Sequence, residues 1–453
     1  MPHAYVIIFI MTVITAILAN IIPAGTFDRV EDASGNSVVV ADSFHHVDKI
    51  GCSIFDMFKS FQIGFEDSAQ IIFFIIFAYA FVYVLLKNGT FDALVGSVLR
   101  KVGNRIELII PLCMILFGLL GSTMGMFEET YGLIPVFISI AMALGYDAIV
   151  GGSVIYLGVA VGFAAATINP FTIGIAQEVA GVKMFSGLGY RILCFVVFMG
   201  ISIWYVWRYA RRIQKDPTKS YLYGEKIETL ECASREEMME IKMTTTHKLS
   251  CLLFVFTIGI LLYGTIKLGW YIDEIATLFI IMTIVSGLVS RFTPSEIADI
   301  FIEASKEMMY GALLVGISRS IAVIMENAQI IDTVVYWLAT MLQHFRGMAS
   351  AMGMLFAQNI INFFIPSGAG QALITMPILA PVGEMVGVSR QVSVLAYQFG
   401  DGFSNIFWPT SVFMMCGIMR LPINKWYRFV TPLFLIIFAA SIVLLGAAVV
   451  IGY

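Results

Sequence analysis

The chain has 453 residues, of which 59% are hydrophobic and only 13% charged, with a formal net charge of −4. Soluble proteins carry about 25% charged residues, so composition excludes an ordinary soluble fold, and the small net charge gives no footing for a nucleic-acid partner. Cys52, Cys113, Cys194, Cys232, Cys251 and Cys416 stand without a CxxC pair, which argues against a disulfide framework or a zinc site.

In chain order, MPHAYVIIFIMTVITAILANIIP comes first. It lacks the basic n-region and small-residue cleavage site of a signal peptide, so residues 5–22 are expected to be a retained helix. A polar segment, 23–67, precedes a helix at 69–87 whose stretch IIFFIIFAYAFVYVLL holds no charge. The stretch 88–105, with Arg100, Lys101 and Arg105, reads as a surface helix. Residues 106–144 form two apolar arms around GSTMGMFEETYGL (121–133). An apolar segment at 148–182 is interrupted at Asn169-Pro170, and a helix at 187–208 leads to a hydrophilic linker, 209–248. Helices follow at 249–267, 271–290 and 305–325, then an amphipathic surface stretch at 331–346. Two further apolar arms, 348–386, flank PSGAGQ (366–371). A second interrupted helix covers 390–420 and a last helix 428–450. A bilayer span needs roughly 20 mostly apolar residues, so the chain reads as an all-α polytopic membrane protein with about nine full spans.

Orientation follows from Lys and Arg in the loops. The segment 208–248 carries nine basic residues, whereas 26–67 carries three against eight acids, so the first is expected in the cytoplasm and the second outside. Arg100, Lys101, Arg105, Arg291, Lys425 and Arg428 also face inward only if 106–144 and 348–386 each enter and leave on one side, as re-entrant hairpins. That topology puts the N-terminus in and the C-terminus out. It divides the chain into a first scaffold helix with an extracellular segment (1–65), a first repeat (66–208), a cytoplasmic linker (209–248), scaffold helices (249–300) and a second repeat (301–453).

The repeats are visible in the letters. FEDSAQII (65–72) parallels FIEASKEM (301–308), and NGTFDALV (88–95) parallels NAQIIDTVV (327–335). Pro135 with Gly145 parallels Pro377 with Gly387, GYDAIV (145–150) parallels GVSRQV (387–392), and GF recurs at 162–163 and 402–403. The first copy enters from the cytoplasm and the second from outside, which is an inverted repeat of the kind secondary transporters use.

Irregular backbone survives in a bilayer only where protein or water satisfies it. Four polar interruptions stand in this chain: the tips 122–130 and 366–371, and the breaks TINP (167–170) and SNIFWPTS (404–411). Paired by the repeat, they are expected to converge near the midplane. Glu128, Glu129 and Asp401 are the acids at these places, and an intramembrane acid is costly unless paired or wet. They suit a cation: Na⁺, a proton or a substrate ammonium. A structural alternative pairs Glu128 or Glu129 with Arg319. Asp147 and Ser389 stand just before helices and read as N-caps. Trp204, Tyr205, Trp207 and Arg208 read as an interface belt. All five histidines lie outside the apolar spans, which disfavours His-based catalysis or metal binding within the membrane.

The order of motifs resembles the bacterial YfcC-like carriers, grouped with the anaerobic C4-dicarboxylate carriers and arginine–ornithine exchangers. The likeness rests on GMFEE (125–129), INPF (168–171), AQEVAGV (176–182), PSGAGQALITMPILAPVGEMVGVSRQV (366–392) and LAYQFGDGFSNIFWPTS (395–411). The resemblance implies a multi-pass secondary carrier of the ion-transporter superfamily in the bacterial inner membrane. It also implies a homodimer in which hairpins and broken helices slide, elevator-fashion, against a scaffold. It carries site positions onto Glu128, Glu129, Asn169, Ser367, Gly368, Gly370, Gln371, Asp401, Asn405 and Thr410. A Na⁺ near Asn169, Asp401 and Ser404 is one candidate coupling ion and a proton the other; no further cofactor is implied. One departure from the family is the short tail before the first helix.

The acids favour a basic amino acid, its carboxylate at 367–371 and its cationic end near Glu128 and Glu129. A C4-dicarboxylate is the alternative, with Na⁺ claiming the acids; a channel is a further one. An intramembrane aspartyl protease is the enzyme rival, suggested by YD (146–147) and FGDG (399–402), but Gln398 replaces the first Gly of the GxGD pattern.

Overall fold

In the computed structural model, which describes residues 4–31, 37–40, 42–94, 97, 108–225, 240–268, 270 and 272–453, nearly all regular structure is helical. Helix α1 (Ala4–Ile21) is followed by two short antiparallel strand pairs. In the first, β1 (Gly25–Thr26) meets β4 (His45–His46); in the second, β2 (Arg29–Glu31) meets β3 (Ser37–Val39), with Val30 opposite Val38. The polar segment 23–67 is more regular than its composition suggests, because residues 54–67 form α2 (Ile54–Asp67). Ser53 and Asp56 build a capping box at its start, and Met57, Ser60 and Gly64 turn inward. Helix α3 (Ala69–Lys87) carries the charge-free run 71–86. Most of the expected surface helix 88–105, and residues 226–239 of the linker, lie outside the described residues.

The two hairpins are helical pairs. The first is α4 (Ile109–Met124) and α5 (Ile134–Ala143), joined through a 3₁₀ turn at Glu128–Leu133. Next come α6 (Ala148–Ala164), a break, a π turn at Pro170–Gly174 that leads into α7 (Ile175–Val179), and the long α8 (Leu188–Lys215). Helices α9 (Thr245–Tyr263), α10 (Ile272–Val289), α11 (Pro294–Asn327) and α12 (Ile331–Leu342) follow. The second half then repeats the order. Hairpin α13 (Met348–Phe364) with α14 (Gly368–Met385) precedes α15 (Arg390–Ser404), a break, α16 (Pro409–Ile418) and the long α17 (Ile423–Val450).

Local chemistry sets these boundaries. Asp147 accepts the Val150 N–H at 3.0 Å and Ser389 accepts the Val392 N–H at 3.1 Å, so both expected caps are caps. Asp147 is held further by the Tyr209 and Ser220 hydroxyls, at 2.5 and 2.6 Å. Thr293 and Glu296 start α11 with a capping box, earlier than the apolar run alone indicates. Along α8, Arg208 and Arg211 lie over the rings of Trp204 and Trp207, as an interface belt would. Tyr205 departs from that belt: its hydroxyl donates to the Phe429 carbonyl at 2.6 Å.

The chain is a membrane protein. Among the described residues, α3, α8, α10 and α17 are long and apolar enough to cross a bilayer unaided, and α11 is a bent helix of 34 residues. The broken helices fall short of that length because each is two pieces.

Packing within each half depends on glycine. Gly121 of α4 meets the backbone of Val159 and Phe163, and Gly118 that of Gly158 and Gly162 in α6. These positions admit no Cβ, so the helix backbones touch, as in the small-residue interfaces of membrane bundles. In the second half Gly400 of α15 sits on Leu355, Gln358 and Asn359 of α13 in the same way. The scaffold-like contacts are equally close: Gly64 of α2 meets the backbone of Gly316 and Ser320 in α11.

Candidate functional site

Tip 1 is seated on break 1. The Thr167 backbone N–H donates to the Ser122 hydroxyl at 3.1 Å and to the Ser122 carbonyl at 2.9 Å, and the two hydroxyls lie 3.0 Å apart. Gly125, in the left-handed conformation at φ 70°, ends α4 against Asn169 and Phe171, where a Cβ would lie 2.5 Å from Asn169 Oδ1. Asn169 is fully buried and caps the π turn by accepting the Phe171 N–H at 2.9 Å. Glu128 and Glu129 follow in the 3₁₀ turn, half-buried. Glu129 accepts the Phe127 N–H at 2.8 Å. Through Gly132, the turn that carries both acids packs on Ala78 and Tyr79 of α3.

Tip 2 is braced by amides. Gln371, fully buried, donates to the Gln358 carbonyl at 2.8 Å and to its side-chain oxygen at 2.7 Å. Thr375 closes the triangle with Gln358 at 2.9 Å. Ser367 is exposed and serves as the cap of α14, accepting the Gly370 N–H at 3.3 Å. The Gly368 carbonyl accepts the Tyr397 hydroxyl at 2.6 Å, which pins the tip to α15.

Break 2 begins at Asp401, fully buried in the last turn of α15. Its Oδ1 accepts from Asn362 Nδ2 at 2.7 Å. Its backbone carbonyl accepts from the Ser404 hydroxyl at 2.6 Å and from Asn405 Nδ2 at 3.2 Å. Asn405 in turn accepts Ser411 on its side chain at 3.2 Å and Tyr156 on its carbonyl at 2.7 Å. Thr410 lies in the first turn of α16.

The four interruptions meet where α6 and α15 cross. Gly402 of α15 touches Ala164, Gln398 donates to the Phe163 carbonyl at 2.8 Å, and Asn405 reaches back to Tyr156. Helix α15 starts at the N-terminal end of α8, where Arg191 meets Gln391, and α6 starts near its C-terminal end, where Tyr209 meets Asp147, so the two helices run in opposite directions. Phe163 stands between the tips: its ring lies 5.3 Å from that of Phe127, and 3.5 Å from where a Cβ on Gly368 would be. The same Cβ would lie 2.7 Å from Thr172 Cγ2 and 3.3 Å from Asp401 Oδ2. Tip 2, break 1 and the end of α15 therefore share one small volume.

That volume is rich in unanswered oxygens. Asp401 Oδ2, Asn362 Oδ1 and Thr172 Oγ1 are buried without a hydrogen-bond partner, and on the adjoining turns so are Gln371 Oε1, Gln398 Oε1, Thr410 Oγ1 and Asn169 Nδ2. Buried polar atoms are nearly always paired, so such a cluster marks a place where water, an ion or a ligand completes the bonding. Of the residues singled out from sequence, Asn169, Gly368, Asp401, Ser404 and Asn405 come together here. Gly370 stays in the tip turn, while Ser367 and Gln371 are occupied in holding that tip's shape. Glu128 and Glu129 sit at tip 1 beside α3.

Sequence reasoning passed over Gln358 and Asn362, although two amides at i and i+4 on an otherwise apolar arm were a readable signal. It also passed over Thr172, Tyr397 and Tyr156. The alternative of Arg319 as counter-ion to the tip-1 acids is overturned: Arg319 pairs with Asp67 at 3.5 Å and Glu326 at 3.1 Å, at the contact of α11 with α2. Among the described residues, no salt bridge involves Glu128, Glu129 or Asp401. The aspartyl-protease pairing also fails on geometry. Asp147 caps the start of α6 and Asp401 lies near its end, a separation of about 25 Å at 1.5 Å per residue.

Three kinds of comparison bear on this arrangement. The family model described as "C4-dicarboxylate anaerobic carrier" matches residues 1–450. The chain is similar to an Escherichia coli protein named "Putative basic amino acid antiporter YfcC", 31% identical over 496 residues, covering 100% of this chain and 97% of that one. It is also similar to an uncharacterized protein of Haemophilus influenzae, 28% identical over 401 residues, covering 87% and 78% of the two chains. Among solved structures it is similar to the YdaH transporter of Alcanivorax borkumensis, 15% identical with a TM-score of 0.45 over 100% of this chain and 99% of that one. MtrF of Neisseria gonorrhoeae is 18% identical with a TM-score of 0.42, over 99% and 95%.

Proposed function

The chain belongs to the C4-dicarboxylate anaerobic carrier family, and on that premise we propose that it is a secondary active transporter of a small basic amino acid, of the arginine, ornithine or lysine type. One observation carries the choice of substrate. Glu128 and Glu129 stand at a hairpin tip with no basic side chain paired to either among the described residues, and Phe127, whose N–H Glu129 accepts, packs on Phe163 next to the buried oxygens. A cationic side chain answers those acids, and the N-terminal turn of the 18-residue α14 answers an α-carboxylate through backbone N–H groups. The name of the E. coli relative agrees with this reading.

The transporter sits in the bacterial inner membrane with nine spans, N-terminus in and C-terminus out, as a homodimer. Its hairpins and broken helices move as one unit against α1–α3 and α9–α11. It works by exchange, or by coupling to Na⁺ or H⁺ at Asp401, Asn169 and Ser404. A second reading, a C4-dicarboxylate or other small carboxylate as cargo, is favoured by the family's description, with the coupling cation then claiming the acids.

Counterflow in proteoliposomes separates the two. Arginine, ornithine, lysine, succinate and fumarate are each loaded inside and offered outside, with and without a Na⁺ gradient. Saturable exchange of the basic amino acids alone is expected. Saturable succinate or fumarate exchange with no response to basic amino acids overturns the assignment, and unitary currents in place of saturable exchange would make the protein a channel.

A further inference from the structure

A second polar cluster lies a full helix away from the breaks, where α7 and α8 of the first half meet α15 and α17 of the second. At its centre is Arg191, whose side chain is 1% exposed. Its Nη2 reaches the Gln391 side-chain oxygen at 3.4 Å and the Tyr453 hydroxyl lies beside the guanidinium, while its Nε and Nη1 have no hydrogen-bond partner. No carboxylate is paired with it among the described residues. The neighbouring amides are already committed. Gln177 donates to Gln391 at 3.0 Å, Gln391 donates to the Ser186 carbonyl at 2.7 Å, and the Tyr453 hydroxyl donates to the Gly187 carbonyl at 2.9 Å. The nearby Arg390 is itself neutralised by Glu384 at 2.9 Å.

Arg191 also stands at the wrong end of its helix. It lies in the first turn of the 28-residue α8, whose N-cap, Gly187, offers no side chain to the free backbone N–H groups, and no acid sits in that turn. The positive end of the helix dipole therefore adds to the guanidinium instead of offsetting it. Helical side chains lean toward their own N-terminus, which brings the guanidinium back over the cap. Gly187 is held at φ 72°, and a Cβ there would lie 2.2 Å from the Tyr453 hydroxyl and 2.3 Å from Gln391 Nε2, so the cap is tightly packed on the side of the second half. A buried, unpaired charge costs several kcal/mol. A water would satisfy the free N–H groups but leave the charge, whereas an anion satisfies both.

We propose that Arg191 and the first turn of α8 bind a small monovalent anion of chloride size. Tyr453 and Gln391 pack so close to the cap that the site favours an ion of chloride size over a lipid phosphate or a substrate carboxylate. Gln177 and Arg191 come from the first repeat, Gln391 and Tyr453 from the second, so the anion ties the two halves together. The site is independent of what the carrier moves.

The test uses the full chain in detergent and holds Na⁺ constant. Thermal unfolding is followed in sodium chloride, sodium bromide and sodium gluconate at equal ionic strength. The midpoint is expected to rise saturably, by about 3 °C, in chloride and bromide relative to gluconate. Arg191→Lys keeps part of that response and Arg191→Gln loses it. In bromide-soaked crystals an anomalous peak is expected against Arg191, a readout that does not depend on any variant folding. Coincident unfolding curves of the wild-type protein in all three salts, or an undiminished chloride response in Arg191→Gln, overturns the proposal.

Discussion

At the tip of the second hairpin nearly every polar side chain is already occupied. Ser367 caps α14, Gln371 is bonded to Gln358, and Thr375 completes the brace. At the tip of the first, two carboxylates stand without a basic partner among the described residues, and Glu129 accepts the Phe127 N–H. Both tips close apolar helix pairs and both abut the same broken helix, α6, yet one spends its chemistry on rigidity and the other holds charge in reserve. The contrast shows how one half-unit, used twice, can grip an asymmetric molecule. The braced tip presents backbone donors in a fixed shape, suited to a carboxylate. The acidic tip supplies the counter-charge for a cation.

The strongest way to break that contrast is to neutralise the acids. Glu128→Gln and Glu129→Gln are each expected to lower uptake of the basic amino acid by about 100-fold, within the range for truncating one partner of a buried charge pair. Expression and unfolding temperature should stay near wild type, because neither acid holds a structural ion pair. Uptake at the wild-type rate in both variants would remove tip 1 from the site.

A smaller effect tests the other tip. Gly368→Ala places a Cβ 2.7 Å from Thr172 Cγ2 and 3.3 Å from Asp401 Oδ2, so tip 2 must shift by a few tenths of an ångström. Overpacking of this kind costs about 1–3 kcal/mol, and uptake should fall about 10-fold. Gly200→Ala, where an added Cβ meets nothing within 4 Å, is the control and should transport normally. Equal rates in the two variants would show that tip 2 is spacious and its shape immaterial.

The difference between the tips was partly legible in the letters. Glu128-Glu129 and PSGAGQ announce themselves, because carboxylates and runs of Gly, Ser and Pro are out of place in an apolar segment. The breaks at Asn169-Pro170 and Asn405–Pro409, and the caps Asp147 and Ser389, follow from equally local chemistry. What stayed hidden is what depends on partners distant in the chain. Asn362 matters because Asp401, 39 residues on, turns one oxygen toward it. Gln358 matters because Gln371 folds back along the hairpin. Arg319 read as a candidate partner for the acids only while the course of α2 was unknown. Helix α2 brings Asp67 to it, and α2 was itself obscured by the polar residues on its free face. Which oxygens are left without a partner is a property of the assembled fold.

The mildest perturbation acts away from both tips. Arg420, held at φ 53° just beyond α16, reaches Glu307 of α11 at 3.3 Å, while Glu307 also accepts Tyr79 at 2.7 Å and Tyr83 at 3.2 Å from α3. The pair thus joins the second broken helix to the helices proposed as scaffold. Both side chains keep contact with solvent, at 30% and 24% exposure, and pairs of that kind contribute about 0.2–1 kcal/mol. Removing it should therefore change the population of this conformation by about 1.4- to 5-fold and leave the binding groups untouched. In Arg420→Ala and Glu307→Gln the ratio of outside to inside labelling of a Ser367→Cys reporter should move by that factor in the same direction, with substrate affinity unchanged once the shift is allowed for. If Arg420→Ala instead abolished binding as Glu128→Gln is expected to, recognition would extend beyond the tips to the α11 interface, and the division of labour between the two tips would no longer describe the site.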